Sequence, residues 1–422
     1  MNELTQEEIE RLYNQNILNR NQYLSFIISI LNNTTEHLSI SLDGKWGSGK
    51  TVLLKELQYL SENKTDDSQM DEFHNQFCVV YFDAWQHEKY NNPLISMIYE
   101  LSNIIFEKDP TLNNKFINKT NDLLKSLGFG FIKATIEKHK WLHFSIQKFN
   151  EYQKENMLHS EIISIDRQIE LIYNYIESLL QIIHKNKLLF IIDELDRCKP
   201  DYTISLLEIT KHIFIKNNIH CLFGINKIEL SNSISHFYGH INAMEYMDKI
   251  FNMSFSFPKL SKRQLNNYFD YQELLNKQAQ AEDNTQSSIL KGYDLITKNI
   301  FWSLNLSLRE INYISKSLSK ITSSVILDNI GTEGHFWIYI FIYLISLKVH
   351  DYDNFYQITR SNERSIIVIN DFFRTLETNQ NLYNHNDFNT FLNKIRSSIN
   401  KKEYDENACS YNKLMEFVNF YN

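Results

Sequence analysis

Two short stretches hold residues whose types and spacing could do chemistry. The first is Gly44-Lys-Trp-Gly-Ser-Gly-Lys50-Thr51, which satisfies G-x-x-x-x-G-K-[ST]. A loop of this kind must turn so sharply that consecutive backbone N–H groups face one anion. Gly44, Gly47 and Gly49 permit the turn, since a Cβ there would clash or force an unfavourable φ. Lys50 then supplies a point charge for the β- and γ-phosphates, and the Thr51 hydroxyl a ligand for Mg²⁺. Trp46, Ser48 and Val52 complete the stretch expected to touch the nucleotide. The bland alternative is a glycine-rich turn that binds nothing. The context argues against it: "HLSISL" (37–42) before the loop is strand-like, and Val52, Leu53, Leu54 and Leu57 after it have helical spacing. A helix N-terminus at Lys50 adds positive potential.

The second stretch is "KLLFIIDELDRCKP" (187–200). Its apolar run delivers Asp193 to the C-terminal end of a strand, the edge at which open α/β sheets bind ligands. Asp193 is placed to hold Mg²⁺, and Glu194 to polarise an attacking water as general base. An acidic pair after a strand is also a common helix cap, so this signal gains its strength from the phosphate loop. A third stretch, Gly224-Ile-Asn226-Lys-Ile-Glu229, reads in two ways. It is a guanine-reading N-K-x-D with Glu229 in place of Asp, or Asn226 is a polar sensor of the γ-phosphate. The guanine reading needs a D-x-x-G, where the chain has Asp193-Glu-Leu-Asp196, and Glu229 is one methylene too long. The sensor reading, and ATP, are favoured.

These residues need a sheet to position them. Short apolar runs at 38–42, 77–82, 188–192, 219–225 and 253–257 alternate with helical patterns at 50–61, 93–107, 159–184, 201–216 and 243–252. Several runs are apolar throughout, as strands buried on both faces are, and the alternation predicts a parallel sheet between helices. Only 10 Gly and 4 Pro in 422 residues suit a largely helical chain. The expected organisation is a helical N-terminal segment (1–36), an ATPase core (37–260) with a helical insertion at about 108–158, a helical lid (261–330) and a helical C-terminal region (331–422). The insertion carries Lys115, Lys119, Lys125, Lys133, Lys138, Lys140 and Lys148 with interleaved aromatics. It reads as a solvated helical hairpin, with membrane-surface or partner docking as sharper readings. The run "FWIYIFIYLISLKV" (336–349) is too short to span a bilayer and reads as a buried helix, so no integral membrane association is expected. Four scattered cysteines without C-x-x-C spacing suggest neither disulfides nor zinc and fit a reducing cytoplasm. His139, His143, His212 and His220 lack metal-ligand spacing. A net charge of −8 gives no global attraction to nucleic acid, although a local patch would escape that argument.

Taken together, "GKWGSGKT", "YFDAWQHEKYNNPL" (81–94) and "IIDELDRCKP" (191–200) resemble the KAP P-loop NTPases, and "EYMDKIFNMSFSFPKL" (245–260) and "LNLSLREINYI" (304–314) fit that family's later elements. The resemblance covers about residues 17–350. It implies an α/β three-layer core with sheet order 5-1-4-3-2 followed by a helical lid. The family usually has Asn where Asp83 stands and Asp where Glu194 and Asn226 stand. Many members carry membrane helices where this chain has its basic insertion, whose most apolar segment (127–136) is too short to span.

The same resemblance gives roles to further residues. Arg309 takes the place of a lid arginine reaching the γ-phosphate, and Lys249 that of a trans-acting finger for a neighbouring subunit. Asn19 and Arg20 fall where an N-terminal segment would cover adenine. Arg197 is expected to contact phosphate or brace a neighbouring subunit. Trp85 and His87 are expected as core and supporting residues. The expectation is an Mg²⁺-dependent ATPase coupled to conformational change or assembly with partner proteins, including a nucleotide-dependent homo-oligomer. Bacterial relatives add an implied setting in antiviral defence. The rival is an ATP-gated scaffold or switch with little turnover; a nucleic-acid motor is disfavoured.

Overall fold

Along β2 (Phe77–Asp83), Cys78, Val80 and Phe82 join one apolar cluster while Phe77 and Val79 join another. This period-two split recurs in β3 (Lys187–Asp193) and β4 (Ile219–Ile225), so both faces of the sheet are apolar and both need cover. Helices supply it. Asn21–Asn33, Lys50–Glu62 and Ser68–Gln76 pack on one face, and Pro93–Lys108, Ile165–Ile182 and Pro200–His212 on the other. With β1 (Ser39–Asp43) and β5 (Met253–Ser256) the five strands run parallel in the order β2-β3-β4-β1-β5. Read from the other edge this is the expected 5-1-4-3-2, and the layers are the expected α/β/α.

The computed structural model describes residues 4–108, 113–127, 165–270, 295–320 and 334–360. Most of the basic insertion, residues 276–288 and everything after 360 lie outside the described residues. The chain divides into two compact units. One comprises Met1–Asn16, Arg20–Lys45 and Gly49–Pro258; the other comprises Ile17–Asn19, Trp46–Ser48 and Lys259–Asn422. Beyond β5, the described residues of the second unit are helical over 262–270, Leu295–Ser303, Leu308–Lys320, Gly334–His350 and Tyr352–Arg360. Phe269, Phe301, Ile311 and Phe341 are buried there. Ser307 and Glu310 close the start of Leu308–Lys320 reciprocally, and the other Glu310 oxygen meets His350 at 2.9 Å.

Among the described residues, two helices of nine residues or more escape the sequence patterns. Ser68–Gln76 is a polar segment that buries only Met70 and Phe73; its start is set by Asp67, which accepts from the amides of Gln69 and Met70. Lys227–Tyr238 begins inside the stretch read for its nucleotide chemistry, and Asn226 is its cap. The apolar run at 336–349 is a helix with several fully buried residues, as expected. No helix among the described residues is long and apolar enough to cross a membrane.

Candidate functional site

The phosphate loop leaves the C-terminal end of β1 at Asp43 and enters the helix at Lys50. Gly47 has φ +78° and Gly49 φ +102°, both left-handed, so the two glycines are where the sequence requires them. Within the second unit, a Cβ at Gly47 would lie 2.6 Å from the Arg309 Cβ and 3.0 Å from the Ser307 hydroxyl. Within the first, a Cβ at Gly49 would overlap the Arg20 guanidinium. Ser48 Oγ is buried without a hydrogen-bond partner, and Trp46 is exposed. Thr51 and Val52 are half-buried in the first helical turn. Successive amides in such a turn form an anion-binding concavity, and an orphaned hydroxyl in its wall suits a ligand rich in acceptors. The loop fits a phosphate chain.

Lys50 is buried, and its ammonium donates to the carbonyl oxygens of Gly44 (2.5 Å) and Lys45 (3.3 Å). Burial lowers its pKa, while the charges of Asp196, Asp193, Asp43 and Glu194 oppose that shift. The charges of four carboxyl groups thus act on one cation, and three of the four belong to the second stretch read above. Asp193 is buried at the end of β3. One of its carboxylate oxygens accepts from the Glu194 amide (3.0 Å) and the other from the Tyr81 hydroxyl (2.8 Å). Tyr81 is itself covered by Lys55, whose ammonium stands 3.8 Å from the ring centroid. A phenol from the neighbouring strand therefore orients the carboxylate that would hold Mg²⁺.

Glu194 adopts φ +61°, ψ +20°, a left-handed conformation uncommon for a residue with a Cβ. Its carboxylate pairs with the Arg197 guanidinium, which also lies 5.6 Å from the Trp85 ring centroid. Burial pushes the Glu194 carboxyl up to about 7; Arg197 pulls it down, and Asp193, Asp83 and Asp196 push it up again. Trp85, expected in the core, is 53% exposed, because Asp83 ends the strand and starts the short helix Ala84–His87, which turns the indole outward. His87 stacks on Phe82 and meets Glu100 at 3.1 Å. Asp83 lies opposite Asp193 in the β2–β3 register and accepts from the Gln86 amide (2.9 Å).

Asn226 follows β4 directly, beside the end of β1: Ile225 is in register with Asp43, and the Lys227 amide donates to the Asp43 carboxylate (2.8 Å). The Asn226 side-chain oxygen accepts from the Ile228 amide (3.3 Å). Arg309 is exposed in the first turn of its helix, with its neighbour Glu310 engaged by Ser307 and His350. Lys249 is exposed at the end of helix Ala243–Asp248. Asn19 is exposed with φ +51°, whereas Arg20 is buried. Thus Lys50, Asp193 and Glu194 converge, Arg309 adjoins Gly47, and Lys249 belongs to the surface.

Gly224 is a member of this site that spacing alone did not single out. A Cβ there would come within 2.7 Å of the Asp193 carboxylate and 2.5 Å of Leu54. The clash arises because β4 passes directly beside Asp193, with which Gly224 is in register. Gly224→Ala is therefore expected to tilt the Asp193 carboxylate; if that carboxylate holds Mg²⁺ for hydrolysis, turnover falls by about tenfold or more, since misplacing a catalytic group by about 1 Å can cost about 100-fold. Hydrolysis rates across a Mg²⁺ titration check this; a parental curve would show that Asp193 does not need the space.

A loop for phosphates at the end of β1, an acidic pair at the end of β3 and a parallel 5-1-4-3-2 sheet define a P-loop NTPase. The chain belongs to the KAP family: the profile of the KAP family P-loop domain matches residues 20–325. No curated protein matches the chain. Among solved structures it is similar to the Aeropyrum pernix ORC2 protein, determined as ADPNP-ADP complexes. That likeness has 11% identity, a TM-score of 0.30, and coverage of 86% of this chain and 69% of that one.

Proposed function

We propose that this KAP-family protein is a Mg²⁺-dependent ATPase that couples binding and hydrolysis of ATP to a conformational change or to assembly with partner proteins. The observation that carries the reading is that buried Lys50 feels the charges of buried Asp193 and half-buried Glu194 at the end of the neighbouring strand. In it the loop glycines and Lys50 hold the phosphates. Thr51 and Asp193 would hold the metal, which when bound would supply charge neutralisation at the phosphates. Tyr81 fixes the carboxylate of Asp193, and Glu194 accepts a proton from the attacking water. Asn226, directly after the strand beside the loop strand, acts as the polar sensor. Arg309 links nucleotide state to the helical lid; Trp46, Ser48, Val52, Asn19 and Arg20 complete the nucleotide surroundings. Lys249 acts in trans, in a nucleotide-dependent homo-oligomer. The defence setting is the biological context in which we place this activity, and phage plating on cells with and without Lys50 tests it.

A second reading has its own observation. Glu194 is paired with Arg197, so the base is engaged in this structure. An ATP-gated scaffold with little turnover would keep it so. Steady-state hydrolysis by the purified chain, with Lys50→Ala as blank, decides between the two. The enzyme reading expects Mg²⁺-dependent phosphate release above the blank, and the scaffold reading expects none despite tight ATP binding. In the same assay GTP should compete weakly, because the chain has Asp193-Glu-Leu-Asp196 where a D-x-x-G is needed and Glu229 is too long for the guanine edge. GTP outcompeting ATP would favour the guanine reading.

A further inference from the structure

Arg197 makes two contacts that bear on the residue read as the general base. Its guanidinium pairs with one carboxylate oxygen of Glu194, three residues earlier, and lies 5.6 Å from the centroid of the Trp85 ring. The main chain closes the turn between the two charges. The Arg197 amide donates to the Glu194 carbonyl (3.2 Å), and the Cys198 amide donates to that of Leu195 (3.2 Å). Glu194 is left-handed (φ +61°), and this brings its carboxylate to the guanidinium. The loop after β2 is tied to the same turn a second time, since the Lys199 amide donates to the Glu88 carboxylate (2.6 Å).

Such a pair withholds a base. The Arg197 and Glu194 side chains are 20% and 13% exposed, so water and salt screen them less than a surface pair. The paired oxygen is buried and accepts no hydrogen bond, so the charge of Arg197 is what holds it. A general base must offer a lone pair to water and take up its proton, and a guanidinium in contact with that oxygen opposes both. Trp85 gives the guanidinium a flat seat, while the indole itself is exposed. Removing the indole should therefore loosen Arg197 and leave the core intact.

We infer that Arg197 is an autoinhibitory clamp: seated against Trp85, it holds the Glu194 carboxylate in an ion pair, so that ATP binds but is turned over only when the pair opens. The inference rests on the reading of Glu194 as the base of an ATP site. It makes Trp85 a second positioning residue, one that acts on Glu194 only through Arg197.

The test uses the full chain at about pH 9, so that protonation of Glu194 does not enter the comparison. Hydrolysis of MgATP, its affinity by calorimetry and urea unfolding are measured for the parent, Arg197→Met, Arg197→Lys, Trp85→Ala, Glu194→Gln and the Arg197→Met, Glu194→Gln double variant. If the pair leaves about a tenth of the molecules with a free base, Arg197→Met raises kcat about tenfold with affinity unchanged. A gain in kcat alone is not what a merely structural arginine would give. Trp85→Ala should raise kcat about two- to fivefold, the factor to which an exposed cation–π contact corresponds. Arg197→Lys, which keeps the charge and loses the flat fork, should fall between the parent and Arg197→Met. In the Glu194→Gln background Arg197→Met should bring no gain, because there is no base left to release. Parental or lower kcat in a folded, ATP-binding Arg197→Met would overturn the inference alone, as would a gain that persists without Glu194. Should Arg197→Met fail to fold, Trp85→Ala decides, and a parental kcat in it overturns the clamp. Parental hydrolysis by Glu194→Gln removes the base reading, and a parent that binds no MgATP removes the ATP site; either takes this inference with it.

Discussion

Lys50→Ala is expected to abolish nucleotide binding or nearly so. The ammonium is the one buried cation set among Asp43, Asp193, Glu194 and Asp196 at this loop. Without it, a polyphosphate would approach four carboxyl groups with no ammonium among them to offset their charge. Hydrogen bonds to charged groups contribute about 1.5–3 kcal/mol each. Losing two of them costs about 3–6 kcal/mol, or roughly 100- to 10,000-fold in affinity. The fold should survive: burial lowers the Lys50 pKa, so the site already resists its charge, and the alanine suits the start of a helix. Circular dichroism should therefore match the parent while calorimetry with MgATP shows no binding in the micromolar range. Retained micromolar affinity would mean that the phosphates bind elsewhere.

The part of this site legible in sequence is the part written in adjacent residues. The octapeptide 44–51 fixes its own backbone through Gly47 and Gly49, and the apolar run before Asp193 announces both its strand and its edge. The sheet was legible for the same reason, because strands buried on two faces leave uninterrupted apolar runs. Its order came from the family resemblance. What stayed hidden is written across the chain. Tyr81 and Asp193 are 112 residues apart and meet only because β2 and β3 pair in one register. Gly224 reads as an ordinary strand glycine until β4 is laid beside Asp193. Arg197 has its partner three residues away, yet only the left-handed turn at Glu194 brings the two charges together. Trp85 has a core composition and a surface position, since one short helix decides which way the indole turns.

Glu194→Gln is expected to separate binding from chemistry. Glutamine is nearly isosteric and cannot accept a proton, so MgATP should bind with little change while the chemical step slows by about 100- to 10,000-fold, as for a lost general base. The parent should show a matching pH signature. Burial holds the Glu194 carboxyl near 7, and only its ionised form is a base. Turnover should fall as pH drops below about 7, and the residual rate of the Gln variant should lack that limb. The substitution also removes the charge that holds Arg197. The guanidinium keeps its place beside the Trp85 ring in the variant. With its γ-phosphate retained, ATP would keep any contact from Arg309, or from a neighbour's Lys249, engaged. The variant should therefore elute as a larger species with MgATP than with MgADP in size-exclusion chromatography. Parental hydrolysis would make Glu194 a turn residue only and move the base elsewhere. A slow variant whose size ignores the nucleotide would keep the base and refute the coupling to assembly, leaving Lys249 a surface lysine at a helix end.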